Sequence, residues 1–369
     1  MTNKYKMVIA GGGTGGHFFP AIAILNQLQK MGIQVKYIGS KYGLESNNSI
    51  LEKDKILLLN INGIQRHFNL DSIYKNLLFP FRFIFSYLKS RIFIKKFQPD
   101  VVIGTGGYSS GIPLYASIHL GIKTVIQEQN SYPGITTRYL SNKVDRVCIA
   151  YNDMKKIFSY NRNIIFTGNP IRDDIQKMDK KQAKTHFNLN INKPVLTVLG
   201  GSQGSVPLNN YFINNIIKYI DNDIQLIWQC GKKSFKNLSN NTNLKHKNIH
   251  LIPFYDNMSA LYSASDLIIS RSGALTLSEM AYMGKAMILI PFPNSAGNHQ
   301  HKNATIFQNK GAALLVKQSE MKSKKLETKI FKLFKDPNKL KKMENKAEEL
   351  ATPNAINDII KTIMEIATK

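Results

Sequence analysis

Acidic residues are scarce in this sequence. Its 369 residues carry 24 Asp and Glu against 50 Lys and Arg, a formal net charge of +26. Such a field draws polyanions, whether nucleic acid, an anionic membrane surface or phosphorylated substrates, and charge alone does not choose among them. Cysteine is scarcer still. Cys148 and Cys230 are the only two, with no metal-ligand spacing between them, and they read as small apolar residues of a reducing compartment. No apolar run reaches the ~18 residues of a membrane span. Only four apolar residues precede the glycines of MTNKYKMVIAGGG, too few for a signal-peptide core. These absences argue against a disulfide-stapled secreted fold and against an integral membrane protein. The expectation is a cytosolic chain, or one held at a membrane from the cytosolic side, long enough for two domains.

What is present is a strand–loop–helix pattern that occurs twice. Met7–Ala10, Val35–Ile38, Val101–Gly104 and Thr124–Gln127 read as buried strands, with a first helix over Pro20–Met31. After Thr167-Gly168-Asn169-Pro170 and a lysine-rich stretch the pattern restarts. Val195–Leu199, Gln225–Gln229, Ile249–Ile252, Leu267–Ser270 and Ala286–Pro291 are the later strands, and Leu208–Ile220 is an amphipathic helix. Two such openings predict an α/β chain of two Rossmann-like domains facing each other. A final helix over 353–367 carries Ile356, Ile359, Ile360, Ile363 and Ile366 at helical spacing.

Loops at the carboxyl ends of parallel strands are where open α/β sheets bind ligands. The first, Gly11–Gly16, formally contains GxGxxG. Its glycines let backbone amides approach a phosphate at the start of a helix. A dinucleotide site also needs a carboxylate at the end of the second strand, which here ends Tyr37-Ile38-Gly39-Ser40, so NAD is disfavoured. A P-loop is excluded, because no Gly-Lys-Ser/Thr follows. His17 begins the helix after this loop, either as a general base or as a hydrogen-bonding loop residue. Gly104-Thr105-Gly106-Gly107-Tyr108 is a second anion-binding candidate. Glu128, in Gln127-Glu128-Gln129-Asn130, is an acid/base candidate or a scaffold residue.

In the second half, Gly200-Gly201-Ser202-Gln203-Gly204 repeats the cradle. Ser270-Arg271-Ser272-Gly273-Ala274 opens another helix, with Ser272 as the expected N-cap. The free amides there suit a diphosphate, and Glu279 could take both hydroxyls of a ribose or simply be a solvated helix carboxylate. The one Asp-x-Asp, Asp221-Asn222-Asp223, falls between a helix and a strand start, at the wrong edge for a ligand, and reads as a turn. Without a metal, a leaving diphosphate needs helix amides and a cation. Arg172 is placed to be that cation, since a guanidinium binds phosphate in bidentate fashion.

Seven motifs occur in order: Gly-Gly-Thr-Gly-Gly-His (12–17), Gly-Gly-Tyr (106–108), Glu-Gln-Asn (128–130), Gly-Asn-Pro-Ile-Arg (168–172), Gly-Gly-Ser-Gln-Gly (200–204), Ser-Arg-Ser-Gly-Ala-Leu-Thr-Leu-Ser-Glu (270–279) and His-Gln-x-x-Asn-Ala (299–304). Together they resemble the MurG family, the transferases that convert lipid I to lipid II in peptidoglycan synthesis, and the resemblance spans nearly the whole chain. It implies a glycosyltransferase-B fold with a cleft between its domains. Residues 1–168 would serve the acceptor and the membrane, with the helix 353–369 packing back on them, and 169–352 would bind UDP-GlcNAc. It implies that Thr14, Gly15 and Gly16 line the cleft, and that Tyr108 and Asn130 are substrate contacts. Arg172 and Ser202 would serve the nucleotide and its phosphates, with Gln203 a further substrate contact. Tyr255 would meet the uracil through its main chain, Ala274, Leu275, Thr276 and Glu279 the diphosphate and ribose, and His299 and Gln300 the donor sugar. His17 matches the candidate base, with Glu128 the alternative.

The resemblance further implies that no cofactor or metal is required beyond the donor UDP-GlcNAc. The partners would be lipid I and an anionic membrane surface, with other cell-wall synthesis proteins as candidates and no nucleic acid. The place would be the cytoplasmic face of the bacterial inner membrane. A transferase acting on diacylglycerol, a non-enzymatic polyanion binder and an NAD oxidoreductase are the competing readings. Residues 75–96 fit a membrane contact. Leu77, Leu78, Phe81, Ile84, Phe85, Leu88 and Ile92 recur at helical spacing, Lys75, Arg82, Lys89 and Lys96 recur every seventh residue, and Phe79, Phe83 and Tyr87 lie off the apolar line. Such a helix either docks on anionic lipid or packs in the core with a solvated basic face. Pro80 marks a loop-to-helix join.

Overall fold

The computed structural model describes residues 5–47, 52–63, 74, 76–158, 162–201, 203–322 and 324–368. The chain forms two compact units, Met1–Arg172 with Thr352–Lys369, and Asp173–Ala351. The first contains β1 (Lys6–Ala10), α1 (Gly15–Lys30), β2 (Gln34–Ser40), β3 (Ile56–Leu59), α2 (Phe79–Phe97), β4 (Val101–Gly104), α3 (Tyr108–His119), β5 (Lys123–Glu128), α4 (Ile135–Leu140), β6 (Arg146–Ile149) and β7 (Ile164–Phe166). The second contains α5 (Lys180–His186), β8 (Val195–Leu199), α6 (Val206–Asp221), β9 (Gln225–Gln229), α7 (Lys232–Leu238), β10 (Ile249–Ile252), α8 (Met258–Ala264), β11 (Leu267–Ser270), α9 (Ala274–Tyr282), β12 (Met287–Leu289), α10 (His299–Asn309), β13 (Ala313–Leu315), α11 (Lys325–Phe334) and α12 (Pro337–Glu348). The last helix, α13 (Ala355–Ala367), belongs to the first unit.

Both sheets are parallel and doubly wound. The orders are β3-β2-β1-β4-β5-β6-β7 and β10-β9-β8-β11-β12-β13, so each unit reverses direction beside its first strand. The loops after β1 and β4, and after β8 and β11, therefore flank the two switch points where α/β sheets hold ligands. Ala10 sits beside Gly104 and Leu199 beside Ser270 in the register.

Alternation along β1 sorts the first core into two layers. Met7 and Ile9 pack with α1 and with Ile359, Ile360, Ile363 and Ile366 of α13. Val8 and Ala10 face the opposite layer with Ile94, Ile112 and Leu114. Burying isoleucines of this kind contributes about 1.5–3 kcal/mol each, which fastens the C-terminal helix to the unit that begins the chain. In the second unit Leu208, Phe212, Ile216 and Tyr219 of α6 enclose Trp228, whose indole N–H donates to Asn209 Oδ1 at 3.0 Å.

Three readings are corrected. Helix α1 starts five residues earlier than expected and carries Pro20 inside it, so the glycine loop itself forms the first turn and His17 is the third helical residue. Strands β3, β6, β7 and β13 add to those read from sequence, and the strand expected over Ala286–Pro291 shortens to Met287–Leu289.

Helix α2 is turned opposite to the core reading. Its Leu-, Phe- and Ile-rich line points outward, with Leu77, just before the helix, and Phe81, Ile84, Phe85, Leu88 and Ile92 all 46–68% exposed. Phe79, Phe83 and Tyr87 pack inward with buried Ser86 and Ser90. Pro80 is the second residue of the helix, as the join requires; Lys75 lies outside the described residues. No described helix is long and apolar enough to cross a membrane.

Candidate active site

At the first switch point the His17 ring lies over Gly106. Nδ1 is 3.0 Å from the Thr105 carbonyl and 3.2 Å from Gln129 Oε1. A carbonyl oxygen can only accept, so Nδ1 carries a proton, and in the neutral tautomer this leaves the lone pair on Nε2. The Thr105 hydroxyl donates to the His17 carbonyl at 2.7 Å, tying the β4 loop to the start of α1. Thr14 is the α1 N-cap residue, without a side-chain cap bond; it and Gly16 are exposed, and Gly15 is half-buried.

Glu128 is a buried carboxylate committed to scaffolding. Oε1 accepts from Asn130 N (3.1 Å) and Asn130 Nδ2 (3.3 Å), and Oε2 from Gly134 N (3.0 Å) and Thr137 Oγ1 (2.5 Å). It shapes the turn into α4 and fixes Asn130 beside it; of its two sequence readings the scaffold one matches this geometry. Tyr108 opens α3 and meets Phe79 edge-on at 5.6 Å.

Strand β2 ends at Ser40 without a carboxylate, as read, but Glu45 follows five residues beyond it. It is buried, accepts from Gly13 N at 3.0 and 2.9 Å and from Ser40 N at 2.6 Å, and fills the space that a Cβ on Gly12, Gly39 or Gly43 would need. The first glycine loop is thus closed around an anion of its own chain. No local pattern ties Glu45 to a loop 32 residues before it.

In the second unit, Gly204 and Gly231 press the β8 loop against the β9 loop: a Cβ on Gly231 would lie 2.5 Å from the Gln203 carbonyl. Gln203 is exposed, and Ser202 lies outside the described residues. Arg271 joins the second switch point together. Its guanidinium donates to the Ile290 and Pro291 carbonyls (3.0 and 3.2 Å), Ser205 Oγ (2.7 Å) and Gln318 Oε1 (2.6 Å). Burial lowers its pKa to about 10.

The residue expected to cap α9, Ser272, does not do so; Gly273 holds the N-cap position with extended backbone. The Ser272 peptide is gripped by α10, its N–H donating to Gln300 Oε1 (3.3 Å) and its carbonyl accepting from Asn303 Nδ2 (3.3 Å). Its own hydroxyl is buried with no partner among the described residues, an arrangement that calls for a ligand or water. Gln300 Oε1 also accepts from Phe292 N at 2.9 Å, which leaves the amide NH2 as its donor. His299 Nδ1 donates to the Ala296 carbonyl at 2.7 Å.

Glu279 is half-buried and receives the hydroxyl of fully buried Tyr262 on Oε2 at 2.8 Å, not a freely solvated carboxylate. Tyr255 N is committed to Gln229 Oε1 at 3.1 Å, so its main chain can offer a base only the carbonyl. Arg172 is half-buried, and is the last residue of the first unit. Asp223 pairs with Lys193 at 2.6 Å in a turn after α6. No cluster of three His, Cys, Asp or Glu able to hold a metal occurs among the described residues. A cavity of about 900 Å³ beside α6 is lined by residues such as Tyr211, Pro293, His301 and Lys322 and by none of the expected site residues.

Two doubly wound units, each with a glycine-rich opening at its switch point, make the glycosyltransferase-B architecture. Residues 7–149 match the glycosyltransferase family 28 N-terminal domain and 195–363 its C-terminal domain. This chain belongs to that family, alongside the MurG-type N-acetylglucosamine transferases. A Flavobacterium psychrophilum protein is 40% identical over 367 residues, 98% of both chains, and one from Bacteroides fragilis is 35% identical over 98% of this chain and 96% of its own. Both are named UDP-N-acetylglucosamine–N-acetylmuramyl-(pentapeptide) pyrophosphoryl-undecaprenol N-acetylglucosamine transferase. The crystal structure of Acinetobacter baumannii MurG superposes with a TM-score of 0.76 at 26% identity, covering 98% of this chain and 99% of that one.

Proposed function

We propose that the protein transfers N-acetylglucosamine from UDP-GlcNAc, with inversion, to the C4 hydroxyl of the muramoyl group of lipid I, giving lipid II and UDP. The observation that carries the chemistry is the orientation of His17, whose Nδ1 is tied to Thr105 and Gln129 and whose Nε2 is therefore the basic nitrogen. In this reading Nε2 takes the C4 hydroxyl proton as that oxygen bonds to the anomeric carbon, while the bond from that carbon to phosphate breaks and UDP leaves with the electron pair. Thr14, Gly15, Gly16, Tyr108 and Asn130 serve the acceptor.

The amides of Ala274, Leu275 and Thr276 and the positive end of α9 stabilise the leaving diphosphate, with Arg172, Ser202 and Gln203 as further phosphate contacts. Glu279, steadied by Tyr262, takes the ribose hydroxyls, the Tyr255 carbonyl meets the uracil, and Gln300 donates to the sugar beside His299. No metal is needed in this scheme. UDP release from UDP-GlcNAc, measured with and without a lipid I analogue, tests it. Release only with that acceptor supports the assignment; inertness with it and turnover on diacylglycerol would overturn it.

The acceptor is lipid-linked, and the outward apolar line of α2 with Arg82, Lys89 and Lys96 supports docking on the anionic cytoplasmic leaflet of the inner membrane. Each surface cation there contributes roughly 1 kcal/mol. Phe81→Ser with Phe85→Ser should release the protein from vesicles containing phosphatidylglycerol while leaving turnover of a soluble acceptor unchanged. Undiminished vesicle binding would refute the docking.

A further inference from the structure

His17 does not stand alone on the Thr105 carbonyl. Behind it lie three side-chain amides, Gln127, Gln129 and Asn169, all essentially inaccessible to solvent. Gln129 Nε2 donates to the Thr105 carbonyl (2.7 Å), the Gln127 carbonyl (3.0 Å) and Gln127 Oε1 (2.5 Å). Three acceptors around one end of the amide require that end to be the NH2, so the end facing His17 Nδ1 at 3.2 Å is the oxygen. Gln127 is oriented in turn, because its Nε2 donates to Asn169 Oδ1 at 3.1 Å. Asn169 Nδ2 closes the ring on the Gln129 carbonyl at 3.1 Å.

We propose that Gln129 is a positioning residue for His17, its orientation enforced by the buried amide ring through Gln127 and Asn169, so that the imidazole proton stays on Nδ1 and the Nε2 lone pair is presented to the acceptor hydroxyl. This rests on His17 being the base. The partner is neutral for a reason: an amide oxygen fixes the tautomer and the ring plane, whereas a carboxylate in its place would stabilise the imidazolium and leave the base protonated to higher pH. The other ionisable groups on the elements around His17 are engaged elsewhere: Glu45 with Gly13 and Ser40, Glu128 with Asn130, Gly134 and Thr137, and Tyr37 with the Gly11 carbonyl at 3.1 Å. Tyr108, at the start of α3, packs on Phe79. Lys and Arg are absent from the 11–17, 104–108 and 127–130 segments.

The test uses the full chain labelled with 15N-histidine, alongside the pH dependence of kcat. Wild type should show the Nδ1–H tautomer at His17, assigned by its loss in His17→Ala. Gln129→Glu should raise the His17 titration midpoint and the acid limb of kcat together by about one pH unit, as a neighbouring carboxylate does. Gln129→Met should lower kcat about tenfold, a typical cost of losing an orienting partner, with KM for UDP-GlcNAc unchanged. An Nε2–H tautomer in wild type, or an unmoved midpoint in folded Gln129→Glu, overturns the inference. A moved midpoint with an unmoved kcat limb upholds the positioning and overturns His17 as base. If Gln129→Glu does not fold, Asn169→Ala breaks the same ring one link away: lowered kcat at constant KM supports the inference, and unchanged kcat overturns it.

Discussion

Gly106→Ala probes the seat of the candidate base more sharply than removal of the base itself. A Cβ built on Gly106 would lie 2.5 Å from His17 Nδ1 and 2.6 Å from Cε1, against an ordinary contact of about 3.5 Å. The imidazole must therefore retreat by about 1 Å, which carries both Nδ1 hydrogen bonds beyond useful length. A misplacement of that size costs about 100-fold in rate, so kcat should fall by roughly two orders of magnitude while KM for UDP-GlcNAc, whose site is proposed in the other unit, stays near wild type. The substitution also strains a backbone at φ +107°, by about 1–3 kcal/mol. Gly121→Ala separates the two effects: its φ is +71°, but nothing lies within 4 Å of its Cβ position, so it carries strain without displacing a side chain. The assay is UDP release with a soluble lipid I analogue, paired with thermal denaturation. A Gly106→Ala enzyme that loses stability like Gly121→Ala but keeps its kcat would refute the placement of His17 in the chemistry.

Three further outcomes are expected. Lys285 is nearly buried with Nζ on the Ser265 carbonyl at 3.2 Å, and burial, aided by Lys180, lowers its pKa to about 8. The unfolded chain then binds more protons between pH 8 and about 10.5, so this group makes stability rise with pH across that window, and at pH 7 it costs the fold about 3 kcal/mol. Lys285→Met should raise the thermal midpoint at pH 7 and abolish that rise; an unchanged pH profile of Tm would count against it. Arg271→Ala should lower stability by about 1–3 kcal/mol and raise KM for UDP-GlcNAc, because Ser205 and the Ile290–Pro291 segment lose their common donor; unchanged values of both would contradict the bracing role. Glu45→Ala leaves the Gly13 and Ser40 amides without their acceptor and should cost about 1–3 kcal/mol, read from thermal denaturation.

The strand–glycine–helix openings of both units were legible because glycine and buried aliphatic runs are strong local signals. Strands β3, β6, β7 and β13 were not, because runs of three or four residues carry too little pattern to separate strand from loop. The period of α2 was readable, but period says only that residues share a face, not which face turns inward. Here the buried Ser86 and Ser90 let α2 approach α3 closely, and the aromatics off the main line complete the contact. The N-cap of α9 shifted by one residue because α10, distant in sequence, holds the Ser272 peptide. Gln129, Glu45 and Arg271 lay inside or beside the segments already read, yet their roles depend on partners from 32 to 112 residues away, which no local pattern encodes.

The carboxylate of Glu45 makes two otherwise like halves unequal. The six strands of the second sheet repeat the order of the first six in the other, both units have a glycine opening, and a repeated design would ordinarily accept a nucleotide in each. In the first, the Gly13 amide is already taken by the Glu45 carboxylate, so it is not free to donate to a nucleotide phosphate. One UDP per chain is the stoichiometry that follows, measurable by calorimetry.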